Sequence, residues 1–161
     1  MECIWQPSPN FGDDRKTTDF IILHGTWMAV DDEALARLCD PTPPPELGRV
    51  SAHYFINQQG KLFQMVEEEH VAWHAGISEW QGVVGLNQHS IGIEISNPGI
   101  QNPEEEGFVP YHDCQYETLN KLLTGIVERH KTPRENILAH SQIAPDRKDD
   151  PGSHFDWQKI I

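Results

Sequence analysis

Short apolar runs are separated along this chain by polar stretches rich in proline, glycine and acid, and the period of each run predicts an element. "DFIILH" (Asp19 to His24) is continuously apolar, the pattern of a strand buried on both faces in a sheet covered by helices. In "SIGIEIS" (Ser90 to Ser96) the isoleucines 91, 93 and 95 alternate with Ser90, Gly92, Glu94 and Ser96, which predicts a strand with Glu94 on the face opposite the isoleucines. "SAHYFINQQGKLFQMV" (Ser51 to Val66) predicts a hairpin whose polar turn ends in Gly60. "ENILAHS" predicts a last short strand ending at His140, and "FDWQKII" a closing turn or helix.

Helical spacing marks two segments. "DDEALARLCD" (Asp31 to Asp40) begins with acidic N-cap candidates, pairs Glu33 with Arg37 four residues apart, and runs into "PTPPPELG". "DCQYETLNKLLTGIVERH" (Asp113 to His130) puts Tyr116, Leu119, Leu123, Ile126 and Val127 on one face behind an expected Asp113 N-cap. "EEEHVAWHAGISEWQGVVGLNQ" has no clear period and is read as a loop bordering a groove, and "NPGIQNPEEEGFVPYH" as turns. Strands mixed with helices in 161 residues predict one α/β domain, residues 1–161.

Composition narrows the partners. A formal charge of −13, with no basic run longer than pairs such as Arg147-Lys148, argues against nucleic acid. Three widely spaced cysteines, Cys3, Cys39 and Cys114, form no CxxC pair and predict reduced thiols rather than a disulfide framework. No window approaches eighteen apolar residues, so no transmembrane segment is expected, and "MECIWQPSPNFGDDRK" lacks the apolar region of a signal peptide.

The chemistry lies in the histidines. Nine are present, and His70, His89, His112 and His130 are assigned to the surface or to ordinary hydrogen bonding. His24 and His140 differ because each ends an apolar strand, where functional groups of open α/β sheets gather. A hydrolytic zinc site takes three protein ligands, from imidazole and carboxylate, and leaves one position open. Asp146, Asp149 and Asp150 all lie close enough beyond His140 to supply the carboxylate, and the residues alone do not choose among them.

"FIILH", "VSAHYFI", "AWHAGISEWQG", "LNQHSIGIEISNPG" and "AHSQIAPDRKDDPG" together resemble the type-2 N-acetylmuramoyl-L-alanine amidases, which share a fold with the peptidoglycan recognition proteins. The match runs in order from about Pro7 to Trp157, and its most specific part is the closing H-x-x-I-A-P-x-R-K-x-D-P-G. The resemblance implies a central mixed β-sheet flanked by helices and a single catalytic domain without a separate wall-binding domain. It implies one zinc ion per chain on His24, His140 and Asp150, with Glu94 as general base and Lys148 beside the oxyanion. In that family the segment holding Trp73 and His74 borders the substrate groove, which makes both substrate-binding candidates; Arg147 is a third because its guanidinium can pair with a peptide carboxylate, the alternative being an internal salt bridge, and His53 at the head of the hairpin is a candidate support behind the ligands. Asp146 and Asp149 are then expected to be replaceable loop charges.

The implied reaction cuts the amide between the lactyl group of N-acetylmuramic acid, or its anhydro form, and L-alanine, with peptidoglycan fragments or muropeptides as partners. The alternatives are a non-catalytic peptidoglycan-binding module and a metal hydrolase acting on another cell-wall amide. The expected location is cytoplasmic, the alternative a periplasmic or lipid-anchored relative. Two features depart from the family pattern: Gly25, where relatives carry a larger polar residue, and the acidic "NPEEEG" insertion at Glu104 to Glu106.

Overall fold

The structure, a computed structural model, describes residues 2–161. Ten strands form in chain order: β1 (Cys3–Trp5), β2 (Phe11–Asp14), β3 (Phe20–Gly25), β4 (Tyr54–Ile56), β5 (Leu62–Gln64), β6 (His70–Ala72), β7 (Glu79–Trp80), β8 (Val83–Val84), β9 (Ser90–Ile95) and β10 (Ile137–Ala139). Three α-helices accompany them: α1 (Asp31–Cys39), α2 (Asp113–His130) and the single turn α3 (His140–Ile143).

Six strands make one mixed sheet in the order β1-β5-β4-β9-β3-β10, with β4, β9, β3 and β10 parallel to their neighbours and β4–β5 an antiparallel hairpin. The continuous apolar run of β3 sits between β9 and β10 and is buried throughout, as a strand covered on both faces must be. Ile21, Leu23, Ile91, Ile93 and Ile95 pack with Tyr116, Leu119, Leu123 and Ile126 of α2 in the larger core. On the opposite face, Phe20 and Ile22 pack with Leu86, Leu138 and Ile143, while α1 lays Ala34 and Leu38 against Phe55 and Met65. A mixed sheet flanked by helices is therefore the observed architecture, with the polar residues of β9 on the α1 side.

The helix starts differ from expectation. Val30, not an acid, occupies the N-cap position of α1 and makes no side-chain capping bond. Asp31 falls in the first turn, and its carboxylate accepts the Gln58 N–H at 3.3 Å. Arg37 does not pair with Glu33, because its guanidinium reaches the carbonyls of Leu47 and Gly48 at 3.0 and 2.9 Å and secures the proline-rich loop. In α2 the N-cap is His112, whose N–H is accepted by the Gln115 side chain at 2.9 Å; Asp113, one residue further on, pairs with Lys159 at 2.6 Å.

The stretch expected to be a loop contains β6, β7, β8 and the 3₁₀ turn Leu86–His89. β6 pairs with β2, a strand hidden in the polar "FGDD", and β7 pairs with β8. β1 and β2 are exposed nearly throughout. Such strands carry no burial pattern, and only their partners make them strands.

Candidate metal centre

Parallel pairing sets the site. In the β3–β9 register His24 stands opposite Glu94, and in the β3–β10 register Leu23 stands opposite Ala139, so His140 follows at the height of His24. Two imidazoles and a carboxyl thus meet at the C-terminal ends of three adjacent strands. The chain after α3 turns back through Arg147 and Lys148 N–H bonds to the Ala144 carbonyl, and Ser141 N–H bonds the Asp150 carbonyl at 3.1 Å. The Asp150 side chain accepts the Gly25 N–H at 3.3 Å.

The result is a close triad. His24 Nδ1 lies 3.0 Å from His140 Nδ1 and 3.3 Å from Asp150 Oδ2, and His140 Nδ1 lies 3.2 Å from Asp150 Oδ1. One donor atom from each of the three falls within 4.8 Å of the others, the only such His/Cys/Asp/Glu group among the described residues. Glu94 Oε1 is 4.0 Å from His24 Nδ1, and Glu94 Oε2 is buried without a hydrogen-bond partner. His140 Nε2 sits 3.1 Å from the Ala75 carbonyl; a carbonyl only accepts, so Nε2 carries a proton and Nδ1 is the nitrogen left to face a cation.

The electrostatics match that assignment. Burial first, and then the neighbouring His140 and Lys148, draw His24 down to about 4 against the pull of Asp150, so it is neutral at pH 7. Burial alone would raise Asp150, but its contacts with the His140 and His24 rings outweigh burial and hold it well below the usual carboxylate range. Glu94 is pushed up to about 8, by burial first and then by the charge of Asp150, with Lys148 partly offsetting both. Two buried imidazoles beside a carboxylate fit a zinc ion in their donor set, and the Glu94 oxygen without a partner among the described residues is left for a water or substrate.

These groups line a cavity of about 510 Å³ together with Trp27, Trp73, His74, Arg147 and Lys148. The substrate-binding candidates differ in how free they are. Trp73 stacks under the Arg49 guanidinium, 5.1 Å from the ring centroid. Arg147 makes no internal salt bridge; its Nη2 donates to the carbonyls of Ala75 and Ile77 at 3.1 and 2.6 Å and ties the 75–77 turn to the loop carrying Asp150. His74 is buried, 2.9 Å from His24 Nε2 through Nδ1 and 3.2 Å from Ser90 Oγ through Nε2. His53 lies behind it, accepting the Gly92 N–H on Nδ1 and donating from Nε2 to the His70 carbonyl.

Asp149 differs from the replaceable charge expected of it. It accepts from Trp27 Nε1 and from Gln101 Nε2, both at 2.9 Å, and so joins three loops at the cavity rim. Trp27 also accounts for Gly25: a Cβ there would lie 2.2 Å from the indole and 2.6 Å from the Tyr111 hydroxyl, so the space a larger residue would need is filled from two positions away. The acidic turn Glu104–Glu106 is exposed and stays outside the cavity lining. Sequence reasoning missed Ser90 and Gly92 as site residues. A glycine inside an otherwise regular strand is a signal of close approach, and a Cβ at Gly92 would meet His74 Cγ at 2.3 Å.

An imidazole–imidazole–carboxylate set that could hold a metal ion, with a second carboxyl beside it, thus lies at the open end of a mixed sheet. The profile of the N-acetylmuramoyl-L-alanine amidase family matches residues 14–153, and the chain belongs to that family. N-acetylmuramoyl-L-alanine amidase AmiD of Escherichia coli (strain K12) is 40% identical over 149 residues, covering 87% of this chain and 51% of AmiD, so the chain spans about half the length of that relative. The 1,6-anhydro-N-acetylmuramyl-L-alanine amidase AmpD of the same strain is 32% identical, covering 96% of this chain and 87% of AmpD. The solved structure of E. coli AmiD with the substrate anhydro-N-acetylmuramic acid-L-Ala-D-gamma-Glu-L-Lys superposes with a TM-score of 0.78 at 36% identity, over 90% of this chain and 56% of that one. Among the described residues no helix is long and apolar enough to cross a membrane.

Proposed function

We propose that residues 1–161 act as one catalytic domain, a zinc-dependent amidase that hydrolyses the bond between the lactyl group of N-acetylmuramic or anhydro-N-acetylmuramic acid and L-alanine in peptidoglycan fragments. The observation that carries this reading is the convergence of His24 Nδ1, His140 Nδ1 and the Asp150 carboxylate under the Glu94 carboxyl, inside one cavity. His24, His140 and Asp150 would hold one zinc ion. What zinc supplies when bound is Lewis acidity toward the amide carbonyl and a water whose pKa is lowered to about 7.

The remaining work falls to side chains of the chain itself. Glu94 acts as base in its ionised form, which positive charge held at the three ligands and Lys148 would favour over the proton-holding form that burial alone sets, and it takes a proton from the attacking water as the C–O bond forms. It hands that proton to the alanine nitrogen as the C–N bond breaks, leaving a lactyl carboxylate and a free stem peptide. Lys148 lines the same cavity as Glu94 and His24, which supports a role for its positive charge against the negative charge that develops on the carbonyl oxygen. Trp73 borders the space left for the sugar or the peptide.

The test is product analysis. Zinc-loaded protein is incubated with purified anhydro-muramyl peptide and, separately, with its non-anhydro counterpart, and free stem peptide is followed by mass spectrometry. Release that stops on chelation and returns with zinc is the expected result. Stoichiometric binding of the muropeptide without release refutes the amidase and identifies a recognition module instead.

A further inference from the structure

We propose that His74 is a positioning residue: with Ser90 it forms a one-way hydrogen-bond relay that fixes the proton of His24 on Nε2 and leaves His24 Nδ1 bare toward His140 and Asp150. The proposal deepens the zinc-amidase reading and rests on it for the identity of the ion, though not for the proton positions.

The direction follows from the far end inward. Ser90 Oγ lies 2.6 Å from the Leu86 carbonyl, which only accepts, so the single hydroxyl proton of Ser90 is spent there. The same oxygen stands 3.2 Å from His74 Nε2 and can then only accept from it, which puts the His74 proton on Nε2. A neutral imidazole has one proton, so His74 Nδ1, 2.9 Å from His24 Nε2, is an acceptor. His24 therefore donates from Nε2, and its Nδ1 presents a lone pair to the triad. The opposite arrangement would set His24 Nδ1–H toward Asp150 and close the site to a cation, while leaving His74 Nε2 and Ser90 Oγ with facing lone pairs.

The relay is built rather than incidental. The His74 and Ala75 N–H groups both donate to Asn87 Oδ1, at 3.1 and 2.7 Å, which pins the backbone carrying the ring. The ring itself lies flush on Gly92, where any Cβ would sit 2.3 Å from Cγ, so neither neighbour gives it room to tilt. Histidine ligands commonly donate their second N–H to a carboxylate or carbonyl. Here the acceptor is an imidazole rather than a carboxylate, which orients His24 without adding a further negative charge beside Asp150.

Two measurements test this. In metal-free protein carrying 15N-labelled histidine, long-range 1H–15N spectra are expected to place the protons of both His24 and His74 on Nε2; a proton on His24 Nδ1 overturns the relay. In chelator-competition titrations, His74→Ala is expected to weaken zinc binding about 10- to 100-fold, as loss of a group orienting a ligand does. His74→Asn, whose Oδ1 takes the place of Nδ1, should recover most of that loss, and Ser90→Ala should weaken binding in the same direction by a smaller factor. A folded His74→Ala with wild-type zinc affinity overturns the proposal. Where His74→Ala fails to fold, the wild-type spectrum and Ser90→Ala decide. Correct proton positions in a protein that releases no stem peptide would refute the amidase and leave the relay standing.

Discussion

Glu94→Gln separates the function of the buried carboxyl from its cost. In the metal-free protein the group has its pKa raised from 4.5 to about 8, by burial first and then by Asp150. Below pH 4.5 native and unfolded chains both hold the proton. Between 4.5 and 8 the unfolded chain has released it while the native chain keeps it, so native stability falls as pH rises, at about 1.4 kcal/mol per pH unit. The accumulated penalty is about 5 kcal/mol above pH 8, an upper figure because relaxation and water entry reduce it. Glutamine keeps the shape without the charge. In urea unfolding of chelator-treated protein, Glu94→Gln should therefore gain on wild type as pH is raised from 5 to 8.5, by several kcal/mol in all. With zinc restored, the same variant should lose about 10²- to 10⁴-fold in turnover as the proton carrier is removed. A stability gap that does not change with pH would refute the electrostatic account of Glu94, and turnover within tenfold of wild type would refute its role as base.

Two further outcomes are expected. Asp150→Ala should abolish stoichiometric zinc binding measured by metal analysis after gel filtration, whereas Asp146→Ala, at an exposed position, should leave it intact; Asp149→Ala should keep zinc but lower the melting temperature, through loss of its bonds to Trp27 and Gln101. Away from the cavity, burial tends to raise Glu68, but Arg129, His130 and the Tyr54 hydroxyl outweigh it and hold it down at about 2. Its stabilising effect is complete above pH 4.5 and is lost as pH falls toward 2, so Glu68→Gln should cost about 1 to 2 kcal/mol in urea unfolding at pH 7, the full shift being reduced by solvent screening around the half-exposed Arg129, and almost nothing at pH 2.

The central strands and the long helix were legible in the sequence because each is decided by local periodicity together with burial. Ile21 to Leu23, the alternating isoleucines of β9 and the apolar face of α2 announce where they go whatever their neighbours are. The same alternation placed Glu94 on the face away from the isoleucines, and the family resemblance pointed to His24 at the end of its apolar run and to His140 and Asp150 within the closing motif. The helix caps were misread because Asp31 and Asp113 look like caps, while the observed starts depend on Val30 and His112 and on partners from distant loops.

Tertiary structure alone decided the rest, since it turns on contacts between segments far apart in the chain. The exposed strands β1 and β2 exist only by pairing with β5 and β6, tens of residues away. Likewise His74 looks in sequence like a groove residue, and only the packing of its ring onto Gly92, with His24 on one nitrogen and Ser90 on the other, turns it into a support for the ligand. Residue types and spacing determined which groups this protein has for its chemistry. The direction in which each nitrogen and oxygen faces, and hence which of them can meet a cation, came from the parallel register of three strands and the hydrogen bonds behind them.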